Sequence, residues 1–339
     1  MKKLSIVIPC YNCEKTINRL LDSIIFGGLL REQYEVIVCN DKSTDSTLDK
    51  IHCYEDKMDI VYCTTTREVH CPGNTRQAAL PYISGEWFTF IDNDDMFEPK
   101  ALAASMKFID EYNLKYILNT NFRAFDGDAP TREYIGEDAD TWLHGKFFNK
   151  HNILNVFGCR FKDDLFSHED VYFNSTVLAK LISIGEDYVH ANIFTYRWMN
   201  NPESLSRSYT SNNHLYIEEY LPDYIAGSSD PFFDLYEYAT TNHTKGFAIH
   251  QVMMTLLHAY FYYQASVYRL GSNRTLESSY DAIRKLKRRI ISTFDTIDVD
   301  IIEYIYKLPE LYHSIRGKSF QGAIPFIEAQ SFRDFILNL

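Results

Sequence analysis

The first 120 residues alternate short apolar runs with stretches of helical character. The apolar runs predict five buried strands, namely "LSIVIP" (4–9), "YEVIVCN" (34–40), "DIVYCT" (59–64), "EWFTFID" (86–92) and "LKYILNTN" (114–121). Between the first two runs apolar residues recur at helical spacing, and Pro99 lies in the first turn of a further helical stretch. Continuous apolar strands separated by helices predict an α/β fold, with a mostly parallel sheet covered by helices on both faces.

The character of the chain changes near residue 211. Turn-rich segments are followed there by long helical runs, such as "GFAIHQVMMTLLHAYFYYQASVYRL" and "SYDAIRKLKRRIISTF". A length of 339 residues is comfortable for two domains. We therefore expect an α/β domain over residues 1–210 and a mainly helical C-terminal domain over residues 211–339.

Polar residues follow the predicted strands where a ligand would bind. Asn12 follows the first strand, Asp41 the second, and Asp92 with Asp94 the fourth. Ligands of open α/β sheets bind at the carboxyl ends of the strands. Asn and Asp also dominate ordinary turns, so each residue alone fits a turn or a helix cap. Their clustering at one edge of one sheet favours a binding site.

The segment "FTFIDNDDMFEP" (88–99) crowds Asp92, Asp94 and Asp95 into the turn after a buried strand. Carboxylates held this close repel one another and favour a hard divalent cation. Such a cation neutralises the charge that develops on a diphosphate leaving group. We therefore predict a metal-binding turn here.

Seven segments occur along the first two thirds of the chain in a characteristic order. They are "SIVIPCYNCEKTINRLLDSI" (5–24), "EVIVCNDKSTDSTLDKI" (35–51), "PGNTRQAAL" (72–80), "FTFIDNDDMFEP" (88–99), "TWLHGKFFNKHNIL" (141–154), "HEDVYF" (168–173) and "YRWMNNPESLS" (196–206). In this order they resemble the motifs of the inverting family 2 glycosyltransferases, from the donor side to the serine-rich turn that ends the core. The resemblance covers roughly residues 3–208 and implies the GT-A fold and a nucleotide-sugar donor.

The resemblance implies donor-side roles within residues 1–120. Nucleotide binding falls on Pro9, Tyr11, Asn12, Glu14, Asp41, Arg76, Asp92 and Asn93. Asp41 would accept a hydrogen bond from the base, although this chain has Asn40 before it where family members usually carry a second Asp. Arg76 would contact base or phosphate, the alternative being a surface cation on a short helix. Asp94 would coordinate Mn2+ or Mg2+.

On the acceptor side, residues 121–210, the resemblance makes Asp170 the catalytic base. Inversion is one in-line displacement, for which a carboxylate must deprotonate the acceptor hydroxyl. The acceptor would contact Trp142, His144 and Glu169. The alternatives are that Glu169 and Asp170 are acids favoured by a helix dipole, and that Trp142 is a core residue. The segment around Trp142 is itself predicted to be a loop leading into a helix.

The resulting prediction is a metal-dependent inverting glycosyltransferase that uses a UDP-sugar. The acceptor would be a surface glycan or a teichoic-type polymer, with a hydroxymethylated base of phage DNA as an alternative. A non-catalytic scaffold with a degenerate transferase fold is an alternative of another class, which Asp92, Asp94 and Asp170 disfavour. The C-terminal domain would serve oligomerisation or acceptor binding.

The net charge of −12 disfavours a bulk electrostatic grip on nucleic acid. Cations nevertheless cluster in "RKLKRRI" (284–290). This run either meets the phosphates of a polyanionic acceptor or forms the solvated face of a helix.

The seven cysteines are odd in number, and the apolar part of "MKKLSIVIP" is too short for a secretory signal. No stretch approaches the ~18 apolar residues that span a bilayer. We therefore expect reduced thiols in a cytoplasm, with the protein peripheral to a membrane at most, or in a host cytoplasm if phage-encoded. Cys10 and Cys13 have the spacing of a redox pair, but the other sheet-edge motifs have no role in disulfide exchange. We predict that both are apolar fillers beside a nucleotide pocket.

Overall fold

The computed structural model describes residues 2–66, 71–136, 142–162, 165, 167–201, 213–270 and 277–294. For 213–220, 261–262 and 264–270 the description is of the backbone. The chain divides into two compact units, residues 1–204 and 205–339. The predicted serine-rich turn at 202–206 and the tail 295–339 lie outside the described residues.

The first unit is built on a nine-stranded sheet. Its strands are β1 (Leu4–Cys10), β2 (Tyr34–Asn40), β3 (Ile60–Thr64), β4 (Trp87–Phe90), β5 (Met96–Phe97), β6 (Ile117–Asp126), β7 (Ala129–Tyr134), β8 (Lys146–Asn149) and β9 (Val189–Met199). Their order is β3-β2-β1-β4-β8-β6-β9-β5, with β7 paired to the second half of β6. The strands β1 to β4 pair in parallel, as the apolar runs predict.

Helices cover both faces of this sheet. They are α1 (Ile17–Ile25), α2 (Thr47–His52), α3 (Pro72–Ala79), α4 (Ala101–Tyr112) and α5 (Glu169–Ser183). Because side chains alternate along a strand, Ile6 and Ile8 of β1 join one core with α1, α2 and α4. Val7 joins a second core with α3 and α5 on the opposite face. The predicted fold class, an α/β sheet of GT-A type with helices on both faces, is confirmed.

The acceptor-side half of the sheet differs from the prediction. Residues 141–154 do not form a loop leading into an ordinary helix, because β8 lies there, followed by a π-helical turn (His151–Val156). β8 runs antiparallel between β4 and β6. A strand of four residues is too short to show a period of two, so the sequence gives no signal for it. The sheet is therefore parallel over β1 to β4 and mixed beyond them.

The described part of the second unit consists of three helices, α6 (Asn213–Tyr238), α7 (Asn242–Leu270) and α8 (Glu277–Thr293). Their apolar side chains share a core, in which the rings of Phe233 and Phe294 stack at a centroid distance of 5.6 Å. This agrees with the predicted mainly helical C-terminal region. None of the helices in the described ranges is long and apolar enough to cross a membrane.

Gly145 forms the turn into β8. Its φ is +70°, a conformation that residues with a side chain rarely adopt. A Cβ at this position would lie 2.8 Å from the hydroxyl oxygen of Thr120 and 2.9 Å from its carbonyl oxygen. Gly127, between β6 and β7, has a φ of +58° but open space around the position of a Cβ. Both glycines therefore have a left-handed backbone conformation, but only at Gly145 would an added Cβ clash with a neighbouring residue.

We expect Gly145→Ala to destabilise the first unit more than Gly127→Ala. Both substitutions introduce left-handed strain of about 1–2 kcal/mol. Gly145→Ala adds overpacking against Thr120 of about 1–3 kcal/mol. Urea unfolding followed by tryptophan fluorescence measures both losses. Equal losses for the two variants would contradict a steric role of Thr120.

Candidate active site

Two turns meet the end of β1 at the carboxyl edge of the parallel strands. The amide of Asp41, after β2, donates to the carbonyl oxygen of Cys10 at 2.7 Å. The side-chain nitrogen of Asn93, after β4, donates to the carbonyl oxygen of Pro9 at 2.9 Å. Asp41 is buried, at 2% exposure. The sheet edge thus brings together the predicted residues Pro9, Asp41 and Asn93.

Asn12 and Glu14 hold the loop that follows β2. Asn12 has a φ of +46°, and its Oδ1 accepts a hydrogen bond from the amide of Thr44 at 2.8 Å. The Oε2 of Glu14 accepts one from the amide of Ser46 at 3.0 Å. Tyr11, in the same turn, is 45% exposed. The contacts of Asn12 and Glu14 shape the edge, and Tyr11 presents part of its ring to solvent beside it.

Arg76 joins the turn after β4 to the first turn of α5. One terminal nitrogen of its guanidinium donates to Asp92 and the other to Glu169. The side chains of Arg76 and Glu169 are 6% and 8% exposed, so the cation is enclosed. The alternative that Arg76 is a surface cation is therefore wrong. Its contact with base or phosphate stays a prediction, because both terminal nitrogens bind carboxylates of the chain in this structure.

Burial and charge oppose each other in this group. Burial lowers the pKa of Arg76, but Asp92 and Glu169 raise it well above the ordinary value. Burial raises the pKa of Asp92, but Arg76, with the His144 imidazole 3.9 Å away, holds it well below the ordinary range. For Glu169 burial prevails over Arg76 and raises the pKa to about 7. Arg76 and Asp92 are thus fixed charges at neutral pH, whereas Glu169 titrates there.

Asp95 anchors the acidic turn to β9. Its Oδ2 accepts a hydrogen bond from the Tyr196 hydroxyl at 2.5 Å, and its Oδ1 accepts one from the amide of Met199 at 2.7 Å. The side chain is buried, at 2% exposure. Both carboxylate oxygens are therefore engaged by the protein, and Asp95 has a structural role in a turn whose three acids were predicted to bind metal.

Asp94 is half-buried beside the strand-end residue Asn201. The Nδ2 of Asn201 donates to the Oδ2 of Asp94 at 2.8 Å, and Arg19 donates to the Asp94 carbonyl oxygen at 2.7 Å. Burial raises the pKa of Asp94, and the neighbouring Asp92 raises it further. A cation beside this carboxylate would relieve both effects, so the chemistry of the turn fits a hard divalent ion.

One ligating atom from each of Asp92, Asp95 and His144 lies within 4.8 Å of the others. Asp94, the predicted ligand, is not part of this trio. Because Asp95 already accepts two hydrogen bonds and Asp92 faces Arg76, the trio has the character of a hydrogen-bonded network. Asp94 as a metal ligand stays a prediction.

Asp170 lies in the first turn of α5, next to Glu169. It is half-buried, and its Oδ1 accepts a hydrogen bond from the amide of Val171 at 2.8 Å. Its charge also raises the pKa of Arg76, which places it near the same cation. The helix dipole favours an anion at this position, so a helix-terminal acid and a catalytic base both fit. The role of base stays a prediction.

Trp142 and His144 belong to an aromatic cluster with Tyr196 and Trp198. The ring centroids of Trp142 and Trp198 are 4.9 Å apart, and those of His144 and Tyr196 are 4.4 Å apart. Trp142 packs against the core and is half-buried, and the side chain of His144 is 12% exposed. Much of the Trp142 side chain therefore packs as a core residue, as the alternative interpretation expects. Only the exposed part of its ring would be available to contact an acceptor.

Three residues of the site carried no role in the sequence analysis. Tyr196 and Asn201 lie in the quoted segment "YRWMNNPESLS" and bind the acidic turn. Gly73 lies in "PGNTRQAAL", and a Cβ there would be 2.6 Å from the Cγ of Glu169. Contacts between segments that are distant in the chain leave no local pattern in the sequence. The sequence therefore identified these segments as family motifs but gave no sign of the contacts that the three residues make.

Cys10 and Cys13 are free thiols at 1% and 4% exposure. The Cys10 thiol donates to the carbonyl oxygen of Ile8 at 3.7 Å, and the Cys13 sulfur accepts from the Thr47 hydroxyl at 3.8 Å. The proximity of the two thiols raises the pKa of Cys10 and lowers that of Cys13. Both pack in the core that contains Ile17 and Leu20 of α1. This is the environment that the filler prediction expects.

The fold and the acidic turn at its sheet edge define a domain of the GT-A type. Residues 5–161 match the family model described as Glycosyl transferase family 2. This match, which covers just under half of the chain, assigns that segment to family 2 of the glycosyltransferases.

Relatives and solved structures agree with this assignment. The poly(ribitol-phosphate) beta-N-acetylglucosaminyltransferase TarS of Staphylococcus aureus (strain MW2) is 28% identical over 175 residues, 51% of this chain and 30% of that protein. The poly(ribitol-phosphate) beta-glucosyltransferase of Bacillus spizizenii is 32% identical over 200 residues, 55% of this chain and 31% of that protein. The crystal structure of S. aureus TarS 1-349 in complex with UDP has a TM-score of 0.66 at 19% identity, covering 99% of this chain and 92% of that one. The matches thus span less than a third of the two curated relatives.

We expect Arg76→Met to destabilise the first unit by about 3–5 kcal/mol, because two carboxylates lose their buried cation. In a double-mutant cycle with Glu169→Gln, the two losses should fall short of additivity by about 0.5–3 kcal/mol. Chemical denaturation of the four proteins measures this coupling.

The control is the ion pair between Lys3 and Asp110, whose side chains are 46% and 62% exposed. The cycle of Lys3→Met and Asp110→Asn should give a coupling of at most about 1 kcal/mol. A coupling at Arg76 no larger than this would contradict the structural importance of the buried pair.

Proposed function

We propose that the protein is a metal-dependent inverting glycosyltransferase that transfers a sugar from a UDP-sugar to a hydroxyl of a surface glycan or a teichoic-type polymer. The observation that carries the proposal is the bridge through Arg76. It brings the acidic turn after β4 and the Asp170-bearing end of α5 to one edge of the sheet. Donor-side and acceptor-side groups must meet in this way if one displacement is to occur between them.

Within this proposal, Asp170 takes the proton of the acceptor hydroxyl. A general base of this kind contributes about 10²–10⁴ to the rate. Glu169 fixes the first turn of α5 through Arg76, so the Asp170 carboxylate is held against the donor side. Mn2+ or Mg2+, held by Asp94, would supply positive charge to the diphosphate. Asp92 keeps its negative charge at neutral pH and would lie near the ribose or the water shell of a bound metal.

The donor and acceptor are proposed from the relatives together with the site. TarS has been crystallised with UDP, and Asp41 in its buried turn suits hydrogen bonding to a base. The two curated relatives act, by their names, on poly(ribitol-phosphate). We therefore favour a teichoic-type polymer or surface glycan over a hydroxymethylated base of DNA. The role of residues 211–339 in oligomerisation or acceptor binding, and a cytoplasmic location, belong to the same proposal.

Incubation with a panel of UDP-sugars, Mn2+ and a poly(ribitol-phosphate) acceptor should release UDP and yield a glycosylated polymer. Asp94→Ala and Asp170→Asn should each lower the rate by about 10²–10⁴, because each removes one charge that the displacement requires. Asp128→Asn, an exposed acid between β6 and β7, is the matched control and should leave the rate unchanged.

Near-ultraviolet circular dichroism should show that the inactive variants keep their fold. The proposal fails if the wild-type protein neither turns over nor binds any nucleotide sugar. A non-catalytic scaffold would then be the better description, and binding of UDP without turnover would favour it directly.

Replacing Cys10 and Cys13 together by Ala should leave most of the transferase activity intact. Both thiols pack in the hydrophobic core. Their removal should therefore lower the free energy of unfolding by about 1 kcal/mol each and leave the catalytic rate unaffected. Steady-state rates with and without a thiol reductant measure the effect. Complete loss of activity in a folded double variant would restore the redox interpretation of this pair.

A further inference from the structure

The second unit carries a cationic stripe on α8. The helix contains five cations, Arg284, Lys285, Lys287, Arg288 and Arg289, against the two acids Glu277 and Asp281. This excess stands out in a chain of net charge −12. Four of the cations are exposed, with Lys287 partly buried. A local patch of this sign attracts anions whatever the net charge of the whole chain is.

The stripe lies opposite the buried face of the helix. Ile283, Leu286 and Ile290 are buried against the rest of the unit. With 3.6 residues per turn, Arg284 and Arg288 fall one above the other on the far side, about 6 Å apart along the axis. Lys285 and Arg289 form a parallel row beside them. The four side chains are therefore aligned along the helix, as a linear ligand requires.

The two rows differ in their ion pairs. Lys285 is paired with Asp281 at 2.8 Å, and Arg289 is paired with Asp230 of α6. Within the described part of the chain, no carboxylate lies within ion-pair distance of Arg284 or Arg288, and Arg284 packs 5.9 Å from the centroid of the Tyr280 ring. Arg284 and Arg288 are the cations of this stripe available to an external anion, with the paired row beside them.

A groove of about 370 Å³ runs between α6 and α8 beside the stripe. Its walls combine Ile225, Ser229 and Asp230 of α6 with Asp281, Lys285 and Arg289 of α8. The surface therefore combines regularly spaced cations with a groove that has both apolar and acidic walls. A polymer that alternates phosphate groups with polyol units suits both features, because the acids and the serine of the groove can accept hydrogen bonds from polyol hydroxyls, whereas a free phosphate uses only the cations.

We propose that this surface, with Arg284 and Arg288 at its centre, binds the backbone phosphates of a linear polymer of phosphodiester-linked polyols. Neighbouring phosphates would pair with the two arginines, and the polyol units would extend across the row of Lys285 and Arg289 to the groove. This inference rests on the proposed function in that the bound polymer is its acceptor. It adds a second contact on the C-terminal unit, which would retain a long acceptor between transfers.

The test measures binding and turnover separately in the full chain. Fluorescence anisotropy with labelled poly(ribitol-phosphate) reports binding without any donor. Arg284→Gln with Arg288→Gln should weaken binding about tenfold and lower the slope of log affinity against log salt by about two. The control, Lys107→Gln with Lys180→Gln, removes the same charge from exposed positions on α4 and α5 and should change neither quantity.

In the transferase assay, the arginine variant should raise KM for the polymer about tenfold and leave kcat unchanged. KM for a single ribitol phosphate unit and donor hydrolysis without acceptor should also stay unchanged. Dextran, a neutral polymer, should not bind. Unchanged polymer affinity in the arginine variant, an equal loss in the lysine control, or tighter binding of duplex DNA than of the ribitol polymer would each overturn the inference. Polymer that binds through the arginines but is never glycosylated would overturn the proposed function and leave this surface assigned.

Discussion

One buried guanidinium connects three segments at the carboxyl edge of the parallel strands. Arg76 extends from α3 and binds Asp92 from the turn after β4 and Glu169 from the start of α5. The two carboxylates share this one cation, and a buried charge that loses its partner costs several kcal/mol. The position of each segment therefore depends on the other two. Gly73, one turn earlier on α3, permits the close approach to Glu169 on which the contact depends.

Asp95 connects the acidic turn to a second part of the sheet. Asp95 binds the hydroxyl of Tyr196 and the backbone of Met199, both on β9. The short turn is therefore fixed at two points. Arg76 binds it through the charge of Asp92, and Asp95 accepts hydrogen bonds from neutral donors of β9. The half-buried Asp94 lies between these two points in the chain. Electrostatic stabilisation of a transition state works best with groups that do not reorganise during the reaction, so a turn fixed in this way suits the function proposed for it.

The sequence predicted the parts of the molecule that repeat a local pattern. The parallel strands β1 to β4 and the helices between them follow from apolar runs and their spacing, and the ordered motifs pointed to the family. β8 was missed because four residues inserted antiparallel between β4 and β6 carry no periodic signal. Arg76, Asp92 and Glu169 were each predicted as site residues, but their contacts with one another were not, because the three residues come from distant segments. Asp95 was grouped with Asp92 and Asp94 as a metal-binding acid, and only its contacts with β9 distinguish it from them.

That distinction matters for anyone who prepares an inactive form of this protein to trap a complex. In sequence, the three acids of the turn look interchangeable as targets. A change at Asp95 would remove two hydrogen bonds between the turn and β9, so loss of activity in such a variant would report damage to the scaffold. The Asp94 carboxylate accepts a hydrogen bond from the side-chain amide of Asn201. Replacing Asp94 leaves in place the contacts that Arg76 and Asp95 make with the rest of the turn's surroundings. With Asp94 as the proposed metal ligand, trapping variants, and any inhibitor screen that uses them as a reference, are better built on this residue.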